Sequence, residues 1–598
     1  MITAKDALTA DLAKLTPARV RSATYKELDQ LATKIRQFLI DSNAATGGHI
    51  GANLGTIELS LALHHVFESP EDKIIWDTGH QGYTHKIVTG RASRFPTLNT
   101  FGGMSRFVTK TESEHDIIEA SHGGTSISVA LGVALAKALK GDTRSVVAVI
   151  GDGSLSEGLA LEGLNHAAVA SHTNLVIVLN DNGYAISPGF GGLHNYLQSL
   201  EPGSKEPEQF FTALGLDYIG PIDGHNIEAV SKALERAKDS TQIPIVHVKT
   251  EKGHGWKPAD GHPFRLHFSF PFDPQTGKAR EGTAYIGYQD VAAAVIGEEM
   301  ERDERIVAIT PSTLYASGLA PIFKKFPDRC FDPGMEEQHA LTMTVGFAIE
   351  RYKPVIVFQS TFLQRAFDQL VHDVCFGNLP TLILCVRSGF AGYDNPTHHG
   401  IYDFAYWRGL PNLRVMYPKD RYELERMVRT ELKDMTGPTI IAMPYGPVDE
   451  FDKTVLDEPA SAFARPQVVT AGKDMTIVAV GHKFAVARGA AERLKKKGID
   501  CGLVNLRHLK PLPEEALAEI LCKVPKVVTI EEGVLDGGVG SAIATLVSDR
   551  RLECEVLRLG IPATQFVAPG SQEELCKIHG LDVDGVLKKV REFWKLDA

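Results

Sequence analysis

SVVAVIGDGS (Ser145–Ser154) and NLVIVLNDNGY (Asn174–Tyr184) decide how this chain is read. Each begins as a near-continuous apolar, β-branched run, the pattern of a strand buried on both faces of a parallel sheet. Each ends abruptly in glycine and oxygen-bearing side chains. Between them Leu155, Leu159, Leu164 and Ala168 recur at roughly helical spacing. A strand–turn–helix–strand unit puts both turns beyond the carboxyl ends of its strands, where open α/β sheets bind ligands. Asp152 and Asn182, thirty positions apart, are thereby brought together. Asp152 offers a carboxylate, Asn182 an amide oxygen and Tyr184 a backbone carbonyl, the all-oxygen donor set that suits Mg²⁺ alongside phosphate oxygens and water. Gly151 and Gly153 allow close backbone approach to a diphosphate, and Ser154 stands at a helix start whose dipole favours an anion. The G-x-G-x-x-G string of a dinucleotide fold is absent. GDG alone is an ordinary tight turn; the second polar strand end, Asn180-Asp181-Asn182, makes it a metal–diphosphate candidate.

Working outward, strand-like runs alternate with helical stretches: IPIVHV (Ile243–Val248), KPVIVF (Lys353–Phe358), TLILCV (Thr381–Val386), MTIVAV (Met475–Val480) and KVVTI (Lys526–Ile530). That alternation predicts parallel sheets covered by helices. Two breaks interrupt it. Lys257–Tyr285 is rich in Pro, Gly and aromatics and ends in the linker FDPQTGKAREGTAY; Gly446–Pro466 is acidic and proline-punctuated. The expected architecture is three doubly wound α/β domains, at 1–280, 281–455 and 456–598.

Bulk properties exclude several classes. A net charge of −11 leaves no basic stripe, so no nucleic-acid partner is expected. No run of eighteen apolar residues exists, so no membrane span is expected, and the first residues lack the basic–apolar–small pattern of a secretory signal. The seven cysteines are scattered without a C-x-x-C pair, which points away from disulfides and zinc and toward a reducing cytoplasm.

Longer strings identify a family likeness. They are Gly47-Gly48-His49, Leu54-Gly55-Thr56-Ile57-Glu58-Leu59, Trp76-Asp77-Thr78-Gly79-His80-Gln81, His85-Lys86-Ile87, Glu112-Ser113-Glu114 and Thr125-Ser126-Ile127-Ser128. Tyr218-Ile219-Gly220-Pro221-Ile222-Asp223-Gly224-His225, Glu336-Glu337-Gln338-His339-Ala340, Ser360-Thr361-Phe362-Leu363-Gln364-Arg365 and Thr397-His398-His399-Gly400 follow in order. From about Lys34 to about Gly570 the chain resembles the transketolase superfamily, and within it the 1-deoxy-D-xylulose-5-phosphate synthases. The resemblance implies the three-domain thiamine-diphosphate enzyme fold, a homodimer, and thiamine diphosphate with Mg²⁺ as cofactors. It implies small-molecule substrates: pyruvate or another 2-oxo donor, and an aldehyde acceptor.

The same resemblance assigns candidate roles. Glu337 matches the carboxylic acid bonded to the cofactor's pyrimidine, and Phe362 the ring stacked on it. His49 and His80 match polar histidines near the reacting carbon, where an imidazole of near-neutral pKa suits proton transfer; His122 and His267 match weaker positions. His80, His122 and Lys252 join the cofactor-binding set. His398, Arg387 and Asp394 match the acceptor site. Lys110 stands where the synthases carry an arginine and keeps a cation for a donor carboxylate. Arg365 is read equally as a structural charge or a site residue.

Several departures fall on substrate chemistry. Tyr445, in Met443-Pro444-Tyr445-Gly446, replaces the synthase arginine that binds the acceptor phosphate, and Gln359 replaces a tyrosine. His122-Gly123-Gly124-Thr125-Ser126 replaces H-S-S-T-S, and the segment after Asn182 is short. Glu157 restores the transketolase string G-D-G-x-x-x-E-G and, with Glu162, suggests a carboxylate relay; both also suit ordinary helix positions. Three functions are therefore carried forward: a pyruvate-decarboxylating synthase with altered acceptor selectivity, a transketolase-like ketol transferase, and a non-catalytic paralogue kept for assembly. Intact Glu337, Asp152, Asn182, His49 and His80 argue against the last.

Overall fold

The computed structural model describes residues 4–201, 208–282 and 285–595. The expected N-terminal helix begins within them at Ala4. Met1–Thr3, part of the shortened segment after Asn182, and linker residues Thr283 and Ala284 lie outside the described residues.

The chain forms two compact units. The first is residues 1–284 with 333–336, and the second is residues 285–332 with 337–598. In the first, strands β1 (Lys73–Trp76), β2 (Val146–Gly151), β3 (Leu175–Asp181), β4 (Asp217–Asp223) and β5 (Pro244–Lys249) make a sheet of order β1-β2-β3-β5-β4, parallel throughout. β2 and β3 are the two strands of the opening motif, in register from Val146↔Leu175 to Gly151↔Asn180. Their side chains divide between two apolar layers: Val147, Val149, Val176 and Val178 on one face, Val146, Ala148, Ile150, Ile177 and Leu179 on the other. Burial on both faces is why the runs read as continuous rather than alternating.

In the second unit the chain supplies β6 (Ile306–Ile309), β7 (Cys330–Phe331), β8 (Lys353–Gln359), β9 (Thr381–Val386), β10 (Arg414–Met416) and β11 (Pro438–Met443). It continues with β12 (Gln467–Thr470), β13 (Met475–Val480), β14 (Cys501–Leu506), β15 (His508–Lys510), β16 (Lys526–Val534) and β17 (Glu555–Ile561). Two sheets result, β15-β10-β11-β9-β8-β6-β7 and β12-β14-β13-β16-β17. They are parallel except for β15 on β10 and β12 on β14. Each predicted strand run lies on one of these strands. β15 returns to the middle sheet although its neighbours in sequence build the third.

One helix departs from the spacing rule. The expected single helix after GDG is broken into Asp152–Leu155 and Gly158–Ala167, with Glu157 in extended conformation at the second N-cap. The break resets the helical phase. Leu155 and Leu164 are fully buried, but Leu159 is 41% exposed and Ala160 takes the inward place.

Candidate functional site

In the first unit the carboxyl ends of β2 and β3 bring the two turns together. The backbone N–H of Asn182 donates to Asp152 Oδ1 at 3.4 Å, and the Asn182 amide oxygen accepts from the Tyr184 N–H at 3.0 Å. Gly183 takes φ +72 to make the turn. A Cβ at Gly153 would lie 2.8 Å from the Ala185 methyl, so that close approach requires glycine. Lys252 reaches in from beyond β5; its Nζ donates to the Ala185 carbonyl at 2.7 Å and lies 5.3 Å from the Tyr184 ring centre.

The electrostatics fit a cation. Asp152 is buried, and burial followed by the charge of Asp181 pushes its carboxyl up. Asp181 stays ionised because His247 Nε2 (3.0 Å), Gln198 Nε2 (2.8 Å) and Lys249 (3.8 Å) surround it. Burial pushes Lys252 down to about 7. A buried carboxylate, an amide oxygen and a carbonyl with so little local positive charge form a donor set that a hard divalent ion completes.

Beside these turns three imidazoles cluster, with centroids 5.3 Å apart for His49–His80, 5.4 Å for His49–His267 and 5.0 Å for His80–His267. Asn53 Nδ2 ties two of them by donating to the His49 carbonyl (2.8 Å) and the His80 carbonyl (2.7 Å). Nδ1 of His80 and of His267 is buried without a hydrogen-bond partner among the described residues. Burial, then the charge of Lys252, lowers both; His80 falls to about 3. The near-neutral pKa expected for His80 is therefore absent: its imidazole is neutral across physiological pH and offers hydrogen bonds rather than a stored proton.

Lys110 and His122 are exposed. Asp77, which the sequence reading passed over inside its string, holds the His122 loop: its two carboxylate oxygens accept the N–H groups of Gly124 and Ser126, each at 3.0 Å. Glu157 is buried against this loop and Glu162 is exposed. A Cβ at Gly123 would lie 2.2 Å from Glu157 Oε1, and one at Gly124 2.5 Å from Oε2. The glycine pair and Glu157, two separate departures in sequence, are thus one packing solution. His85-Lys86-Ile87 and Glu112-Ser113-Glu114 also meet: Lys86 Nζ is 2.6 Å from Glu112, His85 is 3.0 Å from Asp116, and Arg91 pairs with Asp116 at 2.5 Å.

In the second unit Glu337 opens the helix Glu337–Ile349, buried, with Arg365 Nη1 3.3 Å from its Oε2. Phe362 lies on the short turn Ser360–Leu363 after β8, its ring 5.8 Å from His398. Gln359 is the buried last residue of β8. Arg387 follows β9 with φ +64 and pairs with Asp394 at 2.5 Å. The ring of Tyr445 packs 5.0 Å from the Arg387 guanidinium, and Tyr445 also hydrogen-bonds Tyr285. Asp403, which sequence reasoning missed, accepts from Ser360 Oγ at 2.5 Å; burial pushes its carboxyl up to about 7.

Comparison with known proteins agrees over nearly the whole length. The family model described as 1-deoxy-D-xylulose-5-phosphate synthase matches residues 13–205 and 202–250. The transketolase pyrimidine binding domain matches 284–448, and the transketolase C-terminal domain 465–586. A 1-deoxy-D-xylulose-5-phosphate synthase of Caldanaerobacter subterraneus is 40% identical over 97% of this chain and 98% of its own. 1-Deoxy-D-xylulose-5-phosphate synthase 2 of Geobacter sulfurreducens is 41% identical over 96% and 98%. Among solved structures, a split-gene transketolase is similar at 28% identity, over 52% of this chain and all of the other, with a TM-score of 0.47.

The chain belongs to the 1-deoxy-D-xylulose-5-phosphate synthase family. It is accordingly a thiamine-diphosphate-dependent transferase of the transketolase type, acting on small-molecule substrates. Within this synthase family frame, the resemblance strings divide into two kinds. His49 and Glu337 stand at helix starts, as Asp152 does, and His80 Nδ1 is buried without a hydrogen-bond partner among the described residues. Lys86, Glu112 and Asp116 are consumed in buried ion pairs. Nothing in their sequence separated the two kinds; burial and pairing do.

Proposed function

We propose that this synthase decarboxylates pyruvate and joins the remaining two-carbon acetyl unit to an aldehyde such as glyceraldehyde 3-phosphate, with Mg²⁺ and thiamine diphosphate as cofactors. The observation that carries the reading is the meeting of Asp152 and Asn182 at neighbouring strand ends, beside three clustered imidazoles. Asp152, Asn182 and the Tyr184 carbonyl would hold the metal. Gly151, Gly153, Ser154, His80, His122 and Lys252 would hold the diphosphate, the lysine as a hydrogen-bond donor whose charge the nearby anion would favour and the glycines by close backbone approach. When bound, thiamine diphosphate supplies a nucleophilic carbon and an electron sink.

The residues then have separate tasks. Glu337 would hold the cofactor's pyrimidine through its carboxyl, and Phe362 would pack against that ring. His49, with His80 as a neutral partner, gives hydrogen bonds to oxygen where negative charge develops. Lys110 balances the carboxylate of the donor. Arg387, Asp394 and His398 orient the acceptor. Tyr445 covers the Arg387 guanidinium and brings no charge of its own, which supports reduced selectivity for an acceptor phosphate. Buried Glu157 favours a second reading, a ketol transferase, because it sits in the transketolase string.

The division into domains 1–280, 281–455 and 456–598 is supported by the three sheets, apart from β15, which joins the middle sheet from within the third domain. The homodimer that the transketolase-superfamily resemblance implies is kept as part of this reading. A reducing cytoplasm is supported by cysteines that are all free. No helix among the described residues is long and apolar enough to cross a membrane.

Turnover of the full chain with pyruvate, and separately with a hydroxyacetyl donor, against phosphorylated and plain aldehydes tests the reading. Product and CO₂ from pyruvate support the synthase; product from the hydroxyacetyl donor alone replaces it with the ketol transferase.

A further inference from the structure

The loop from Arg387 to Ile401 carries all three acceptor candidates, Arg387, Asp394 and His398. It leaves β9 and closes on itself through paired backbone hydrogen bonds, Gly389 N–H to the Gly400 carbonyl at 3.0 Å and Gly400 N–H to the Gly389 carbonyl at 2.7 Å. The middle sheet holds the start of the loop, through the Ser388 N–H to the Met443 carbonyl at 2.9 Å and the Tyr445 ring against Arg387, and Phe362 lies against His398. Its remaining ties run to the third sheet and the segments that follow it.

Those ties are numerous. The Phe390 N–H donates to Glu532 Oε1 at 2.7 Å. The Ile401 carbonyl accepts from the Val534 N–H at 2.8 Å, and the Gly392 carbonyl from the Gly570 N–H at 3.2 Å. Tyr393 Oη donates to Glu574 Oε2 at 2.6 Å. His399 Nδ1 accepts from the Ala391 N–H at 2.9 Å, so its Nε2–H donates to the Ala568 carbonyl at 3.2 Å.

Glu532 stands at the centre of this set. It lies on β16, 1% exposed. Its Oε2 is held from the third-sheet side by His482 Nε2 at 2.9 Å, Gln572 Nε2 at 2.6 Å and the Lys483 ammonium. Lys483 Nζ is also 2.9 Å from Cys576 Sγ. Oε1 is left aimed at the loop. A Cβ at Gly389 would lie 2.5 Å from it, and Gly389 has φ +88, so the glycine is what lets loop and carboxylate meet. Burial alone would raise this carboxyl; Lys483 and His482 pull it well below the usual range, which keeps it a charged acceptor for the Phe390 N–H.

We propose that Glu532 is a positioning residue for the aldehyde acceptor: held by Lys483, His482 and Gln572, it fixes the loop that presents Asp394 and His398. The inference rests on the acceptor roles proposed above for those two residues. It gives the third sheet a task in the reaction, although Glu532 itself touches no reacting atom.

Steady-state kinetics of the full-length holoenzyme test this, with pyruvate and the aldehyde varied in turn. Glu532→Ala is expected to raise the acceptor KM by about tenfold or more, the weight of one charge-assisted hydrogen bond. Pyruvate KM and thiamine diphosphate affinity should stay within about twofold, far below the effect of such a bond. Glu532→Gln, which keeps an oxygen for the Phe390 N–H, should recover part of the loss. Tyr393→Phe removes a tie nearer the surface and needs no buried charge rearranged; it should raise the acceptor KM by about threefold, the weight of one weaker hydrogen bond. Asp394→Asn is measured alongside. An acceptor KM raised in Asp394→Asn but unmoved in Glu532→Ala and Tyr393→Phe overturns the inference alone. An acceptor KM unmoved in all of them overturns the acceptor reading as well. Parallel changes in both KM values and in cofactor affinity would mean that Glu532 only supports the fold.

Discussion

Asp152 and Asn182 are placed by backbone: each follows the last residue of its strand or stands one beyond it, and β2 and β3 are in register for six residue pairs. Asp394 and His398 have no such support. They lie in a fifteen-residue loop, 387–401, whose position depends on Glu532, Glu574 and Ala568, which are 142, 181 and 169 residues from the positions they hold. A strand-end site tolerates distant change and is sensitive to its own turn. A loop held by side chains from another sheet is sensitive to residues that never meet substrate. The first kind suits a cofactor bound the same way in every turnover, and the second suits a substrate whose identity can vary.

The comparison is broken most directly at an element end. Glu337 begins its helix as Asp152 begins its own, so its effect should fall on the chemical step. Glu337→Gln is expected to lower kcat about 10²–10⁴-fold, the usual weight of a lost acid–base group, while thiamine diphosphate still binds. A kcat within about threefold of wild type, well short of that weight, would show that the carboxyl is not the one used. Asp152→Ala should act on binding instead. Losing one charged contact to a bridging cation costs about 1.5–3 kcal/mol, or about ten- to a hundredfold in cofactor affinity. Removing a buried carboxyl that faces Asp181 should leave the melting temperature of the cofactor-free protein unchanged or higher. A thiamine diphosphate titration that is the same in this variant, or in chelator, removes the metal from the account.

At the loop the expected effects are narrower. Tyr445→Arg would place a second guanidinium near Arg387 and Asp394. It should raise kcat/KM for glyceraldehyde 3-phosphate relative to glyceraldehyde by about ten- to a hundredfold, through one charged hydrogen bond of about 1.5–3 kcal/mol. Cofactor affinity should not change. If the wild-type enzyme already prefers the phosphate by more than about a thousandfold and the variant does not differ, the tyrosine has no part in selectivity.

How far the sequence could be read follows the same division. The strands Thr381–Val386 and Met475–Val480 were legible to the residue because they are buried along their whole length. The meeting of Asp152 with Asn182 was legible because topology alone dictates it. The helix break at Glu157 was not, because a carboxylate seated against Gly123 and Gly124 overrides the helical spacing of Leu155 and Leu159. Asp77, Asp403 and Glu532 were missed for a related reason. Each is a buried acid whose partner lies between 43 and 142 residues away, and no local pattern announces it. The expected near-neutral His80 failed because burial, which sequence does not display, lowers its imidazole to about 3.

The last expected effect falls on stability rather than turnover and concerns a side-chain network of the loop type. Asp403 is buried at the start of the helix Asp403–Trp407 and accepts from Ser360, two residues before Phe362. Burial pushes its carboxyl up to about 7, against the pull of Ser360 and Ser388, whereas in an unfolded chain it titrates near 3.9. Below about pH 3.9 both states hold the proton and the group's contribution to stability is fully present. Between about 3.9 and about 7 the unfolded chain ionises while the folded one does not. The unfolded state then binds fewer protons, so stability falls as pH rises. Above about 7 the loss is complete, at most about 4 kcal/mol from about 1.36 kcal/mol per unit. Asp403→Asn is neutral at every pH and its oxygen still accepts from Ser360. Its melting temperature should exceed that of wild type at pH 8, by at most roughly 8–16 °C at about 2–4 °C per kcal/mol. The gap should close steadily toward pH 5, with kcat little changed. An equal gap at pH 5 and pH 8 would mean that Asp403 does not titrate between them. It would then act on Phe362 through shape alone, as Asn182 is held by its strand.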